Sequence, residues 1–440
     1  MTAWSGCLVA VGAVVALGAA PPAAYALTPP AIDAALLPLA LPPRPPTPSV
    51  QVDSCATPTE TSASAQDQLN LDSVRSLSQG EGQRVAVIDT GVVRHHRLRR
   101  VEAGGDYVSS GDGTQDCDGH GTLVAGIIAA APDLDDPTGF TGIAPAVTVL
   151  SIRQSSIKFG PADDPASAGF GDVTTMAMAV RTAADLGATV INISSIACAA
   201  GALDDGALGA ALAYAVDTKD TVVVAAAGNV GGAGSCPQQA DDHDLTWETT
   251  TVAVSPGWYD DYVLTVGSVG PDGSPSDFSL PGPWVDVAAP GEQVVSLNPA
   301  GAGVVDTLPA FGRPAPISGT SYAAPVVSGV AALIRARFPE LSARQVMRRI
   351  EVTARHVGDG WDPVVGAGIV DPAAAMSTEV ATSRPAPPSP APISAVPAAA
   401  PVRVADRGAS VALVGTGVCA GLLLIARLWG RHRVVRGQSR

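Results

Sequence analysis

Several short runs of this chain are apolar at nearly every position: 84–88, 147–152, 189–194, 221–226, 263–269 and 284–288. They are rich in Val and Ile, and continuous apolarity without alternation marks strands buried on both faces. Between or after them, 122–130, 173–186, 205–215, 323–337 and 343–355 carry helical spacing. Strands alternating with helices predict an α/β domain over 69–375, three layers around a mostly parallel central sheet. On either side the period disappears. Residues 27–68 and 376–408 are rich in Pro, Ala and Ser, which predicts an extended arm and a stalk.

The two ends read as membrane elements. Residues 7–20 are apolar or small, and Ala24-Tyr25-Ala26 fits a signal-peptidase site, so 1–26 is predicted to be a signal peptide. No Lys or Arg precedes that run, which leaves an uncleaved anchor as the alternative. Residues 409–426 are uncharged and close to the roughly 18 needed to span a bilayer. Arg427, Arg431, Arg433, Arg436 and Arg440 follow, so the tail 427–440 is expected in the cytoplasm and the domain outside.

Charge and cysteines fit that placement. A net charge of −15 argues against nucleic-acid binding, which needs a basic face. Cys7 and Cys419 fall in the membrane elements and leave Cys55, Cys117, Cys198 and Cys236 outside, where thiols pair. Three connectivities are open. Cys55–Cys117 and Cys198–Cys236 are favoured: one ties the arm to a conspicuous His loop, the other closes a loop between predicted strands. No pair has C-x-x-C spacing, which disfavours zinc.

Chemistry concentrates in three separated segments: Asp89-Thr90-Gly91, Asp118-Gly119-His120-Gly121-Thr122 and Ser318-Gly319-Thr320-Ser321-Tyr322-Ala323-Ala324-Pro325. A serine hydroxyl attacks an amide only if an imidazole takes its proton and a carboxylate fixes that imidazole. Asp89 closes a buried strand, which places it at the carboxyl edge where open α/β sheets bind ligands. His120 stands between glycines that permit close backbone approach. Ser321 precedes Pro325, expected in the first helical turn, so the nucleophile should sit at a helix N-terminus. Asn229, closing another strand at the same edge, is the candidate oxyanion donor with the Ser321 N–H. His95 and His96 lie among Arg94, Arg97, Arg99 and Arg100 and read as a solvated basic loop; His243 reads as a surface loop residue, His356 and His432 as structural or exposed.

These motifs resemble those of the subtilisin-like serine proteases over about 70–375. The resemblance implies an Asp89–His120–Ser321 triad, Asn229 in the oxyanion hole, and a cleft lined by Ser194, Ser195, Ile196, Ala225, Ala226 and Gly228. It implies no cofactor and no catalytic metal. Thr28-Pro29-Pro30-Ala31-Ile32-Asp33, Asp116-Cys117-Asp118, Cys198 and the anchor together resemble the mycosins, membrane-held proteases of actinobacterial type VII secretion systems. That implies exported protein substrates, a secretion-complex partner, and a single-pass cell-membrane protein with its catalytic domain outside. Ser195 departs from the acidic residue expected there, which touches cleft preference. The same resemblance leaves a second reading open: a structural component of the secretion complex whose proteolysis is dispensable.

Overall fold

The computed structural model describes residues 27–378 apart from 62–68, 70, 167–168, 233–234, 240–244, 311–312 and 356–359. The expected signal peptide, membrane helix 409–426, tail 427–440, nearly all of the stalk, and His243, His356 and His432 lie outside the described residues. Among the described residues no helix is long and apolar enough to cross a membrane.

A seven-stranded sheet forms the middle layer. In chain order its strands are β1 (Arg84–Asp89), β2 (Val101–Asp106), β3 (Thr148–Arg153), β4 (Val190–Ile193), β5 (Val222–Ala226), β6 (Leu264–Val269) and β7 (Val287–Pro290). Their order across the sheet is β7-β6-β5-β4-β1-β3-β2, and every pairing is parallel. The chain builds from β1 to one edge and then to the other, so β1 is flanked by strands reached by opposite crossovers. Its carboxyl end is therefore a topological switch point, where such sheets form crevices.

Helices cover both faces. α1 (His120–Ala129) and α4 (Thr320–Arg337) pack on each other, as do α2 (Val173–Asp185) and α3 (Gly206–Ala213); α5 (Ala343–Thr353) lies against α4. Val85, Ala86, Val87 and Ile88 are fully buried, as are Leu123, Val124 and Ile128 of α1. The Val, Ile and Leu side chains among them contribute about 1.5–3 kcal/mol each when removed from water. α2 and α5 begin on capping boxes, Asp172 with Thr175 and Ser342 with Gln345, which satisfy otherwise orphaned first-turn N–H groups.

The structure departs from the sequence pattern in four places. The edge strand β2 was not expected: Gly104-Gly105 erases its apolar signature, and the register shifts between Ala103 and Gly105. Trp284 and Val285 precede β7 instead of opening it, because Val285 N–H donates to Gly282 O in a turn ahead of the ladder. The basic loop around His95 and His96 is only partly solvated: Arg94, His96, Arg99 and Arg100 are exposed as expected, but two of its residues are not. His95 and Arg97 are buried, and Arg97 donates to Ala131 O at 3.0 Å, to Asp136 Oδ2 at 2.6 Å and to Phe140 O. One guanidinium thereby organises the loop after α1. Finally, Pro325 lies beyond the first turn of α4, with consequences at the site.

Residues 27–61, the described part of the arm, carry little regular structure. They make one short 3-10 turn (Ala34–Leu36) and one strand (Ser49–Gln51) paired antiparallel with Phe159–Pro161. Both favoured disulfides form: Cys55–Cys117, with Cα atoms 4.4 Å apart, and Cys198–Cys236, at 5.6 Å. Ala56 N–H donates to Cys117 O at 2.8 Å, and Glu60 accepts from Gly303 N–H at 3.0 Å. The arm thus runs from the His loop to the segment following β7.

Candidate active site

Asp89 ends β1 and is fully buried, because the hydrophobic strand before it carries it to the sheet edge inside the crevice. His120 opens α1, two residues before the helix start expected from the sequence. Its Nδ1 lies 2.7 Å from Asp89 Oδ1, and its Nε2 lies 3.0 Å from Ser321 Oγ. With an acceptor-only carboxylate on one side, Nδ1 carries the proton and Nε2 is left to accept from the serine hydroxyl. The close approach depends on Gly121: a Cβ there would stand 2.0 Å from Gly91 O and 3.1 Å from the Asp89 Cβ. Burial opposes protonation of His120. The attraction of Asp89, its hydrogen bond, and the charges of Asp116 and Asp118 outweigh that cost and hold the pKa above the ordinary value of 6.5.

Ser321 is the second residue of α4. In a regular helix the N–H four residues later would bond its carbonyl, but that residue is Pro325, which has no N–H. The freed Ser321 carbonyl accepts instead from Ser194 Oγ at 2.9 Å. Ser194 Oγ accepts from Asn192 Nδ2 at 2.8 Å, and Asn192 Oδ1 accepts from Ser328 Oγ at 2.9 Å. Ser194, Asn192 and Ser328 are all buried, so a chain of neutral hydrogen bonds ties the nucleophile's backbone to β4 and back to α4.

Asn229 follows β5 and Gly228. Its Oδ1 accepts from Thr320 N–H at 3.0 Å and from Thr320 Oγ1 at 3.1 Å. This orients the amide, since the oxygen faces Thr320 and the Nδ2 donors face the other way. A Cβ on Gly319 would come within 3.2 Å of Ser321 Oγ and 3.4 Å of Asn229 Nδ2, so Gly319 leaves open the space between the two groups. An oxyanion formed at Ser321 would need that space and that donor.

The remaining expected cleft residues separate into two groups. Ser195 and Ile196 are half-buried just after β4, with Ser195 Oγ 3.4 Å from Ser155 Oγ, and Gly228 is buried beside them, where a Cβ would be 3.6 Å from Ile196 Cδ1 and 3.3 Å from Cys236 Sγ. Ser194 is committed to the Ser321 carbonyl. Ala225 and Ala226 are buried within β5, with ladder partners on β6. The Cys198–Cys236 bridge joins the segment after β4 to the segment after β5, and Cys236 N–H donates to Asn229 O at 2.9 Å.

Asp116, read from the sequence only as part of a motif, proves central to this geometry. Its Oδ1 accepts from Thr90 Oγ1 at 2.8 Å and Gly119 N–H at 2.7 Å; its Oδ2 accepts from Thr122 N–H at 2.8 Å and Thr122 Oγ1 at 2.7 Å. Burial pushes its pKa up to about 6, and the proximity of Asp89 adds to that, against the hydrogen bonds it receives. The available signal was an Asp just ahead of a helix start, where carboxylates bind orphan N–H groups.

Comparison with known proteins agrees with the arrangement. Residues 80–368 match the Subtilase family of S8 peptidases. Mycosin-4 of Mycobacterium tuberculosis (strain ATCC 25618 / H37Rv) is 62% identical over 385 residues, 84% of each chain. The crystal structure of MycP1 from the ESX-1 type VII secretion system superposes with a TM-score of 0.75 at 42% identity, over 82% of this chain and 99% of that one. A chain in the periplasmic assembly of the ESX-5 inner membrane complex does so with a TM-score of 0.76 at 42% identity, over 83% and 97%. The fold, the match along most of its length and the identity to these relatives lead to one assignment: this chain belongs to the subtilase family, among its mycosins, and is a serine endopeptidase.

Proposed function

We propose that the chain is a membrane-held endopeptidase of a type VII secretion assembly, cleaving exported proteins outside the cytoplasm with Asp89, His120, Ser321 and Asn229. The observation that carries the chemistry is the relay Asp89 Oδ1–His120–Ser321 Oγ at 2.7 and 3.0 Å. His120 Nε2 takes the hydroxyl proton as Ser321 Oγ attacks the scissile carbonyl, and Asp89 holds the imidazolium that forms. The carbonyl oxygen becomes an oxyanion and accepts from Asn229 Nδ2 and the Ser321 N–H. Collapse expels the amine, which takes its proton from His120. Water, activated by the same imidazole, then releases the acyl group and regenerates Ser321.

Ser195, Ile196 and Gly228 border the extended substrate; Ser194, Ala225 and Ala226 support that border from behind. Of the two roles open to the arm, a shed inhibitory propeptide or a permanent wrap, Cys55–Cys117 favours the wrap, since it bonds the arm to the loop that bears His120. Placement rests on the sequence at the ends: a signal peptide over 1–26, a stalk over 376–408, a single span over 409–426 and a cytoplasmic tail. The secretion partner rests on likeness to chains solved within the ESX-5 inner membrane complex.

The second reading, a structural part of the assembly, is favoured by those same complexes. Ser321→Ala in the native cell separates the two, with peptide cleavage and protein export measured together. Loss of both is the outcome expected if proteolysis is the essential act. Lost cleavage with intact export assigns the essential role to structure.

A further inference from the structure

We propose that Asp116 is a positioning residue for His120, acting as a mechanical link and, in its ionised form, as a negative charge. The proposal rests on the reading of His120 as general base given above. Asp116 joins two separate pieces of the site. Through Oδ1 it holds Thr90, the residue after Asp89, and through Gly119 and Thr122 it binds the start of the helix that His120 opens. Thr90 closes the circuit, because its Oγ1 accepts from Gly121 N–H at 2.9 Å. Both neighbours of His120 in the chain are therefore fixed, directly or through Thr90, to the segment that carries Asp89.

Every one of these contacts uses a donor, so only an ionised carboxylate can accept all of them without turning a hydrogen toward an N–H. The groups that face it are Thr90 and Asp89 from the end of β1, Thr122 and His120 from α1, and Tyr322 from α4, whose ring is 5.0 Å from that of His120; Asp118 lies two residues on. Asp116 favours the protonated imidazole of His120, as Asp89 and Asp118 do. The imidazolium is the species that forms when Ser321 gives up its proton, so the charge favours the transition state and raises the pH at which the free base appears.

The test uses the full-length chain and a fluorophosphonate reagent, with which Ser321 Oγ forms a P–O bond as fluoride leaves and His120 takes the proton. Asp116→Asn keeps the size and removes the charge. It is expected to slow the maximal labelling rate about 10–100-fold, as small misplacements of catalytic groups do, with unchanged reagent affinity and an acid limb moved to lower pH. Thr90→Val cuts the mechanical link but leaves the charge; it should slow labelling without moving the limb, and Thr90→Ser should restore the rate. If Asp116→Asn does not fold, the two Thr90 variants decide the mechanical part. The charge is then read from Asp116→Ser, which also removes it but leaves room for water at the four donors, and must move the pH titration of the His120 ring NMR signals to lower values than in the parent protein.

Equal rates and equal acid limbs in folded Asp116→Asn and parent protein overturn the proposal. So does a slower rate with an unmoved limb in Asp116→Asn, which marks a merely structural contact, and so does a Thr90→Val variant as fast as the parent. Failure of the parent protein to label at all removes the reading of the triad itself, and is thereby distinguished from failure of this proposal alone.

Discussion

The two halves of the reaction centre are held by different chemistry. On the base side the organising group is a carboxylate, Asp116, with Asp89 in direct contact with His120. On the nucleophile side the organising groups are neutral: Ser328, Asn192 and Ser194 lead to the Ser321 carbonyl, and Thr320 orients Asn229. The difference follows the charges of the reaction. An imidazole that becomes positive is helped by nearby negative charge, whereas a carbonyl oxygen that becomes negative would be opposed by it. Buried amides and hydroxyls can fix Ser321 and Asn229 without adding that opposing field.

Reversing this division should have the largest effect. Asn229→Ala is expected to lower kcat about 100–1000-fold with little change in KM, through loss of one oxyanion donor. Asn229→Asp, which brings a carboxylate to the neutral side, should be at least as slow as Asn229→Ala despite its closer shape. Steady-state kinetics on a cleaved peptide compares the two. An Asp variant faster than the Ala variant would break the proposed division of charge.

A smaller effect is expected from the neutral chain. Ser194→Ala removes the side-chain donor to the Ser321 carbonyl, and Pro325 has no N–H to replace it. The cost should be about 1–3 kcal/mol of stability in urea denaturation, with the acid limb of activity left in place. Ser194→Thr, which keeps the hydroxyl, should retain more of that stability.

The smallest effect is a shift along the pH axis. Because the folded pKa of His120 is raised, the acid limb of kcat/KM should lie above pH 6.5. The sign carries over to stability. Protonated His120 favours the folded state fully below the unfolded value of 6.5, and that contribution is lost as pH rises through the higher folded value. NMR titration of the ring and denaturation across this window check both statements; a folded pKa below 6.5 would contradict them.

Much of the fold was legible because buried parallel strands write themselves as unbroken apolar runs. β1, β3, β4, β5 and β6 fall within a residue or so of their expected bounds. β2 was illegible because Val101–Asp106 carries two glycines and sits at the sheet edge, half in solvent. At the site, the sequence singles out Asp89, His120, Ser321 and Asn229 because each stands near a strand end or a helix start with glycine close by. Asp116 and Asn192 were not legible, since their roles lie in partners that only the fold brings near. Pro325 shows the same limit: the sequence suggests a helix start, whereas its structural consequence is the carbonyl it leaves to Ser194.

The most direct measurement is to treat the full-length protein with a fluorophosphonate, digest it, and map the adduct by mass spectrometry beside His120→Ala. A single adduct on Ser321, formed in the parent chain and reduced at least about 10⁴-fold in rate without the imidazole, is the expected result. An adduct on another serine, or labelling of Ser321 that is indifferent to His120, would contradict the account.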